Sequence, residues 1–183
     1  MSKKIIAVVG QTGSGKDTFC DILKKKHPDA LLVRFSDPLS KILGIFFDGI
    51  KKEDQQWLAS TLRDRFGEDI LMKAMSRRLE KAEEQLILVN GIRVKEELEA
   101  VKEKGGLIVY ISLDVKTRWE RVKERNERKD DDVDFEKFLQ IDEGRTEVQI
   151  KDMEQKADVV IDNSGTLEDL REKCEKLIKE TDE

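Results

Sequence analysis

The chain is 183 residues long, enough for one domain with a sizeable core or one core carrying a small insertion. Charged residues make up 41% of it, yet the signs nearly cancel at a net −5, which argues against a binder of nucleic-acid polymers or of membranes, since both need a basic surface. No apolar run approaches the roughly 20 residues of a membrane span, and Met1-Ser2-Lys3-Lys4 leads straight into the first apolar run, so no signal peptide is expected and the chain reads as cytoplasmic.

In chain order, Ile5-Ile6-Ala7-Val8-Val9 suits a strand buried on both faces of a parallel sheet. It runs into Gly10-Gln11-Thr12-Gly13-Ser14-Gly15-Lys16-Asp17-Thr18. The spacing of Gly10, Gly15 and Lys16 is that of a P-loop, whose backbone N–H groups wrap phosphates while the lysine reaches the outermost ones. Phe19, Ile22 and Leu23 then recur at helical spacing as far as Lys26, and Pro28 ends that helix. Strand, glycine turn and helix follow in the order a phosphate site requires, with the helix N-terminus aimed at the ligand. One residue departs from the pattern: Asp17 puts a negative charge beside that anion, where a hydroxyl usually stands.

Further strand-length apolar runs lie at 31–35, 86–89, 107–111 and 159–161, with charged helical segments between them. That alternation predicts an α/β fold, a five-stranded parallel sheet with helices on both faces. The stretch 39–84 is too long for one crossover and reads as two or three helices, with turns near Asp48-Gly49 and Phe66-Gly67. It is expected to be a helical insertion that holds a second substrate, within a single domain whose core is 1–38 and 85–183. Cys20 and Cys174 occupy helical positions without metal or redox spacing and are read as buried thiols. His27 is the only histidine and stands at a helix end beside Pro28, so histidine-based mechanisms fall away.

Three groups could act on an anion. Arg118, Arg121, Arg125 and Arg128 recur at steps of three, four and three, which keeps them on one helical face beside a Val115, Trp119, Val122 stripe. A solvated, salt-bridged face is the plain alternative; Arg121 and Arg125 are the two expected to stabilise charge spread over transferring phosphate oxygens, because a P-loop already supplies the anion. Arg93 follows the third strand in Asn90-Gly91-Ile92-Arg93, where ligands of parallel sheets gather, and could bind a second phosphate or pair with Glu96 or Glu97. Asp37, at the end of the second strand, reads equally as an acceptor-binding acid and as a helix cap before Pro38.

Together these pieces resemble the P-loop kinases of nucleoside monophosphates and related phosphorylated acceptors. The segment Ala157-Asp158-Val159-Val160-Ile161-Asp162-Asn163-Ser164-Gly165-Thr166 is similar to the end of dephospho-coenzyme A kinases, where it borders the adenine of ATP. Ser14-Gly15-Lys16-Asp17-Thr18, Ser36-Asp37-Pro38-Leu39 and Asn90-Gly91-Ile92-Arg93 resemble phage-type deoxynucleoside monophosphate kinases and animal-type phosphomevalonate kinases, which share the Lys-Asp form of the loop. The resemblance implies a P-loop NTPase fold with a short lid at about 126–146, ATP and Mg²⁺ as cofactors, and ATP bound by Gly10 to Thr18 with Asn163, Ser164 and Gly165. It implies Lys16, Arg121, Arg125 and Arg93 as catalytic groups, Asp37 and Arg93 as acceptor ligands, and Asp17 as the metal ligand, since Asn90 stands where these enzymes often carry an acid. The expected activity is phosphoryl transfer from ATP to a small phosphorylated acceptor, a nucleoside or deoxynucleoside monophosphate. Dephospho-coenzyme A kinase and a nucleotide-dependent switch with slow hydrolysis are the alternatives. Oligomeric state is not legible in the sequence.

Overall fold

The computed structural model describes residues 3–125 and 133–182. Five strands, β1 (Lys4–Val9), β2 (Leu31–Arg34), β3 (Leu86–Asn90), β4 (Leu107–Ser112) and β5 (Val159–Asp162), form one parallel sheet in the order β2-β3-β1-β4-β5. Side chains alternate along each strand, so β1 divides its apolar run between two cores. Ile5, Ala7 and Val9 pack on one face with Val89, Ile108 and Leu98, while Ile6 and Val8 pack on the other with Phe19, Leu23 and Leu170. An unbroken apolar strand is stable only under such double cover, and each fully buried Ile or Leu contributes about 1.5–3 kcal/mol.

Helices α1 (Lys16–Lys26) and α9 (Leu167–Asp182) cover one face of the sheet. The other face is covered by residues of α4 (Ile70–Lys81), α5 (Lys95–Glu103) and α8 (Arg145–Asp152). Between β2 and β3 the chain forms α2 (Asp37–Leu43), α3 (Lys52–Phe66) and then α4, joined around a small satellite core of Leu39, Ala59 and Leu71. Gly67 ends α3 at φ +99°, beside the turn expected there. Helix α6 (Val115–Arg125) follows β4, and α7 (Phe135–Asp142), capped by the Asp134 carboxylate on the Lys137 N–H at 2.7 Å, leads to α8. Of the segment expected to carry the lid, residues 126–132, with Arg128, lie outside the described residues.

Each strand differs from expectation by one residue at an end, and two of these differences bear on the site. β2 stops at Arg34, and Phe35 leaves the ladder to bury its ring in the core. β3 runs one residue further, to Asn90, because Asn90 still pairs with both Val8 and Arg34. Both thiols are buried, and burial pushes Cys20 and Cys174 up to about 12, so neither is a nucleophile. Among the described residues no helix is long and apolar enough to cross a membrane. The chain lays β2 and β3 on one side of β1 and then β4 and β5 on the other, so the carboxyl end of β1 lies at the switch point where a parallel sheet opens a crevice.

Candidate functional site

The glycine loop occupies that crevice. Gly13 and Gly15 take φ values of +83° and +96°, in the left-handed region that a Cβ resists. Neither has space for one: a Cβ on Gly13 would lie 2.5 Å from the Arg118 carbonyl oxygen, and one on Gly15 would collide with the Asn163 amide. The loop is therefore held from outside by α6 and by the end of β5. Asn163 is buried, donates from Nδ2 to the Ser14 carbonyl at 2.8 Å, and accepts from Arg121 Nη2 on its own carbonyl at 3.0 Å. Lys16 Nζ folds back over the loop to donate to the Gln11 carbonyl at 3.2 Å. The first turn of α1 has N–H groups without intrahelical partners, and Gly13, Gly15, Asp17 and Thr18 line the crevice there, as a phosphate chain requires.

Asp17 is not left facing its anion alone. The register sets Val8, Asn90 and Arg34 side by side at the carboxyl end of the sheet. Above them Asp17 Oδ1 accepts from Asn90 Nδ2 at 2.8 Å and from Arg34 Nη2 at 3.4 Å. Asn90 Oδ1 in turn accepts the Gly91 N–H at 2.7 Å, which fixes the amide's orientation. Burial raises the Asp17 carboxyl, but Lys16, the Asn90 amide and Arg34 together outweigh it and hold the group below the ordinary aspartate range. The strand-end amide and the loop acid are thus one hydrogen-bonded unit.

The arginine face of α6 divides by depth. Arg118 is 2% exposed and grips the Asp142 carboxylate with both terminal nitrogens, at 2.7 and 2.9 Å. Its Nε donates to the Leu113 carbonyl at 3.1 Å and Nη1 to the Thr12 carbonyl at 3.3 Å, with the guanidinium over the Phe138 ring. Arg118 therefore ties the loop to α6 and α7. Arg121 and Arg125 line the crevice, together with Thr12, Gly13 and Lys16.

Two carboxylates complete the loop from the far side, and neither stands out in the sequence. Asp142 Oδ1 accepts from Gln11 Nε2 at 3.0 Å. Glu147, on α8, is buried and takes two donors from Thr12, the N–H at 3.0 Å and the hydroxyl at 2.8 Å. Arg93 Nη1 approaches the same carboxylate at 3.7 Å. Arg93 also gives its backbone N–H to Glu97 at 2.8 Å, so the expected partner Glu97 takes the main chain while the guanidinium turns to Glu147. Burial pushes the Glu97 carboxyl above the ordinary range, against the pull of the Arg93 and Val94 N–H groups and of Arg63.

The crevice opens into a cleft of about 1850 Å³ that runs from the loop and Asn163 to the helical insertion, where Arg34, Leu39, Gln55, Arg63, Arg93 and Glu97 line it. That exceeds the ~300–1,000 Å³ of a site for one small molecule and leaves space for two. Gly165 lies on its wall, and the neighbouring Ser164 N–H is bonded to Asp162 at 2.8 Å. Asp37 is not on that wall. Its Oδ2 accepts the Arg34 N–H at 2.9 Å and Arg78 Nη1 at 2.7 Å, tying β2 to α4. A smaller hollow around Leu31, Arg78 and Lys81 lies at the opposite end of β2, away from the loop.

Among the described residues no three His, Cys, Asp or Glu side chains gather as a ready-made metal cage. A divalent cation beside phosphates needs only one or two carboxylates, because phosphate oxygens and waters fill its other positions. Asp17 meets that requirement: both of its hydrogen bonds among the described residues use Oδ1, and the side chain is 52% exposed where the cleft begins.

The sequence profile of the AAA domain family matches residues 6–140, which takes in the loop, the insertion and α6. A UPF0200 protein of Sulfurisphaera tokodaii is 29% identical over 177 residues, covering 96% of each chain, and one of Methanothermobacter thermautotrophicus is 24% identical over 98% of this chain and 91% of its own. Among solved structures, TT1252 from Thermus thermophilus aligns with a TM-score of 0.61 at 18% identity over 98% of both chains. Shikimate kinase from Acinetobacter baumannii, solved in complex with shikimate, aligns at 0.59 and 20% over 98% of this chain and 94% of its own. At such identities the likeness concerns the fold, which is that of the P-loop kinases.

Proposed function

This chain belongs to the AAA domain family, and on that premise we propose that it transfers the terminal phosphoryl group of ATP to a small phosphorylated acceptor, a nucleoside or deoxynucleoside monophosphate. The observation that carries the reading is the single cleft with cations at both ends: Lys16, Arg121 and Arg125 around the loop, Arg34 and Arg93 beside the insertion. One phosphate-bearing ligand at each end brings donor and acceptor phosphates toward each other, and fixed cations between them offset the charge that spreads over the oxygens in transfer.

Within this reading the loop N–H groups and Lys16 hold the outer phosphates, and Thr18 adds a hydroxyl at the first turn of α1. Asn163, Ser164 and Gly165 border the base of ATP. Arg121 and Arg125 bear on the transferring group, and Arg93 orients the acceptor's phosphate. Asp17 would hold Mg²⁺, which when bound neutralises phosphate charge. Asp37 supports the acceptor end through Arg78 and the Arg34 N–H. The work belongs in the cytoplasm, where ATP is supplied and free thiols persist.

The test is ADP release from ATP and Mg²⁺ with a panel of acceptors: nucleoside and deoxynucleoside monophosphates, dephospho-coenzyme A, and none. Stimulation by one or more monophosphates is expected. Stimulation by dephospho-coenzyme A alone would assign that kinase activity instead, and slow release indifferent to every acceptor would assign a nucleotide switch.

A further inference from the structure

Glu147 has a place that the phosphoryl-transfer chemistry above does not use. Lys16 Nζ lies against the Gln11 carbonyl, and a loop lysine reaches the outermost phosphates, so the end of the loop at residues 11 and 12 is where the terminal phosphate of a nucleotide comes to rest. At that end Thr12 gives both its N–H and its hydroxyl to one carboxylate, Glu147, which is 6% exposed and has Arg93 Nη1 at 3.7 Å from Oε1, the oxygen that accepts the hydroxyl. A carboxylate held by an N–H, a hydroxyl and a guanidinium is bound as a phosphate oxygen pair is bound. Two anions cannot share those donors without strong repulsion.

We propose that Glu147 is a specificity-determining residue that holds the place of the terminal phosphate on Thr12, so that a nucleoside triphosphate must displace it and a diphosphate need not. The inference rests on the nucleotide reading of the loop given above. Displacement hands the Thr12 donors to the phosphate and leaves Glu147 with Arg93, the residue that faces the acceptor end. Arrival of the third phosphate is thereby coupled to a shift of α8 and to the orientation of Arg93. After transfer the diphosphate no longer reaches Thr12, and the return of Glu147 favours product release.

The coupling is read by titrating the full chain with ATP and with ADP, each with Mg²⁺, in the parent, Glu147→Gln and Glu147→Asp. Glu147→Gln keeps the side chain's size and one acceptor oxygen while removing the charge. It is expected to tighten ATP by about tenfold, the scale of one close charge pair, and to leave ADP within about twofold. Glu147→Asp keeps the charge but draws the carboxylate back by one methylene, weakening the bonds that seat it while leaving both Thr12 donors in place for a phosphate, so it serves if the first variant does not fold. It is expected to tighten ATP by a few-fold, roughly the value of one hydrogen bond, and again to spare ADP. An unchanged ratio of ATP to ADP affinity, or equal shifts for both nucleotides, assigns Glu147 a merely structural part and overturns the inference alone. A parent that binds neither nucleotide overturns the nucleotide reading, and this inference with it.

Discussion

The loop end and the insertion end of the cleft, the donor and acceptor ends of the proposed reaction, are built by opposite means. At the loop end backbone N–H groups face the cleft beside Lys16, and the loop's geometry is locked by buried side chains: Asn163 and Arg118 are 5% and 2% exposed. At the acceptor end the groups are long side chains standing in solvent, with Arg34 and Arg93 at 46% and 45% exposure, over a satellite core of three residues. A site made of packed backbone recognises a constant group such as a phosphate chain, because nothing in it can move without breaking the packing. A site made of exposed guanidiniums on a lightly packed arm adapts to its ligand and closes on it at a cost in side-chain entropy. The difference explains why the chain declares its donor more readily than its acceptor.

The largest effect expected from that contrast is on stability. Arg118→Ala leaves the Asp142 carboxylate without its bidentate partner and the Thr12 and Leu113 carbonyls without a donor, which should cost about 3–5 kcal/mol. Denaturant unfolding measures it, and a variant as stable as the parent would break the claim that buried contacts hold the donor end. Lys16→Ala should leave unfolding unchanged and lower the transfer rate by at least about a hundredfold, the scale of one lost transition-state donor. Activity within a few-fold of the parent would remove Lys16 from the phosphates.

Asp17 and Asn90 lie where the two ends meet, and they form a direct hydrogen bond. Asp17→Ser should reduce Mg²⁺-dependent rate by more than about tenfold, the scale of one charge-assisted contact to the metal. Asn90→Asp should also slow the enzyme, since it sets two carboxylates in contact. The double variant should recover a substantial part of the loss by returning the acid to the strand end. Rates against free Mg²⁺ for all four proteins give the cycle, and strict additivity would mean that Asp17 does not stand in for a strand-end acid. The smallest effect belongs to the acceptor end: Arg93→Ala should raise the acceptor KM about tenfold and the KM for ATP by clearly less, through its contact with Glu147 alone. Equal losses for both substrates would move Arg93 to the donor side of the comparison.

Which parts of this arrangement could be read from the chain follows from how local each one is. The five strands were legible because each is a short apolar run between polar segments, and the loop was legible because its glycines, Lys16 and helix are contiguous. Arg34 carries a signal of its own: it is the one charge inside the apolar run 31–35, near the strand end where ligands of parallel sheets collect. Glu147 had none, being one acid in a chain that is 41% charged. The bond between Asp17 and Asn90 joins residues 73 apart, and no pattern in either neighbourhood contains it.

What the sequence by itself determined was periodicity, and periodicity fixes the element and the face: β1 splits its side chains between two cores, and Arg118, Arg121 and Arg125 share one side of α6. What only the tertiary structure decided was depth and partnership. Arg118 is sealed under α7 by Phe138 and Asp142, while its neighbours one and two turns on line the cleft. Asp37 is drawn to Arg78, and Glu147 is delivered to Thr12 from 135 residues away. The reason is physical: a helical repeat is set by backbone geometry within a few residues, whereas the worth of a charge depends on what desolvates it and what pairs with it, and both come from elsewhere in the chain.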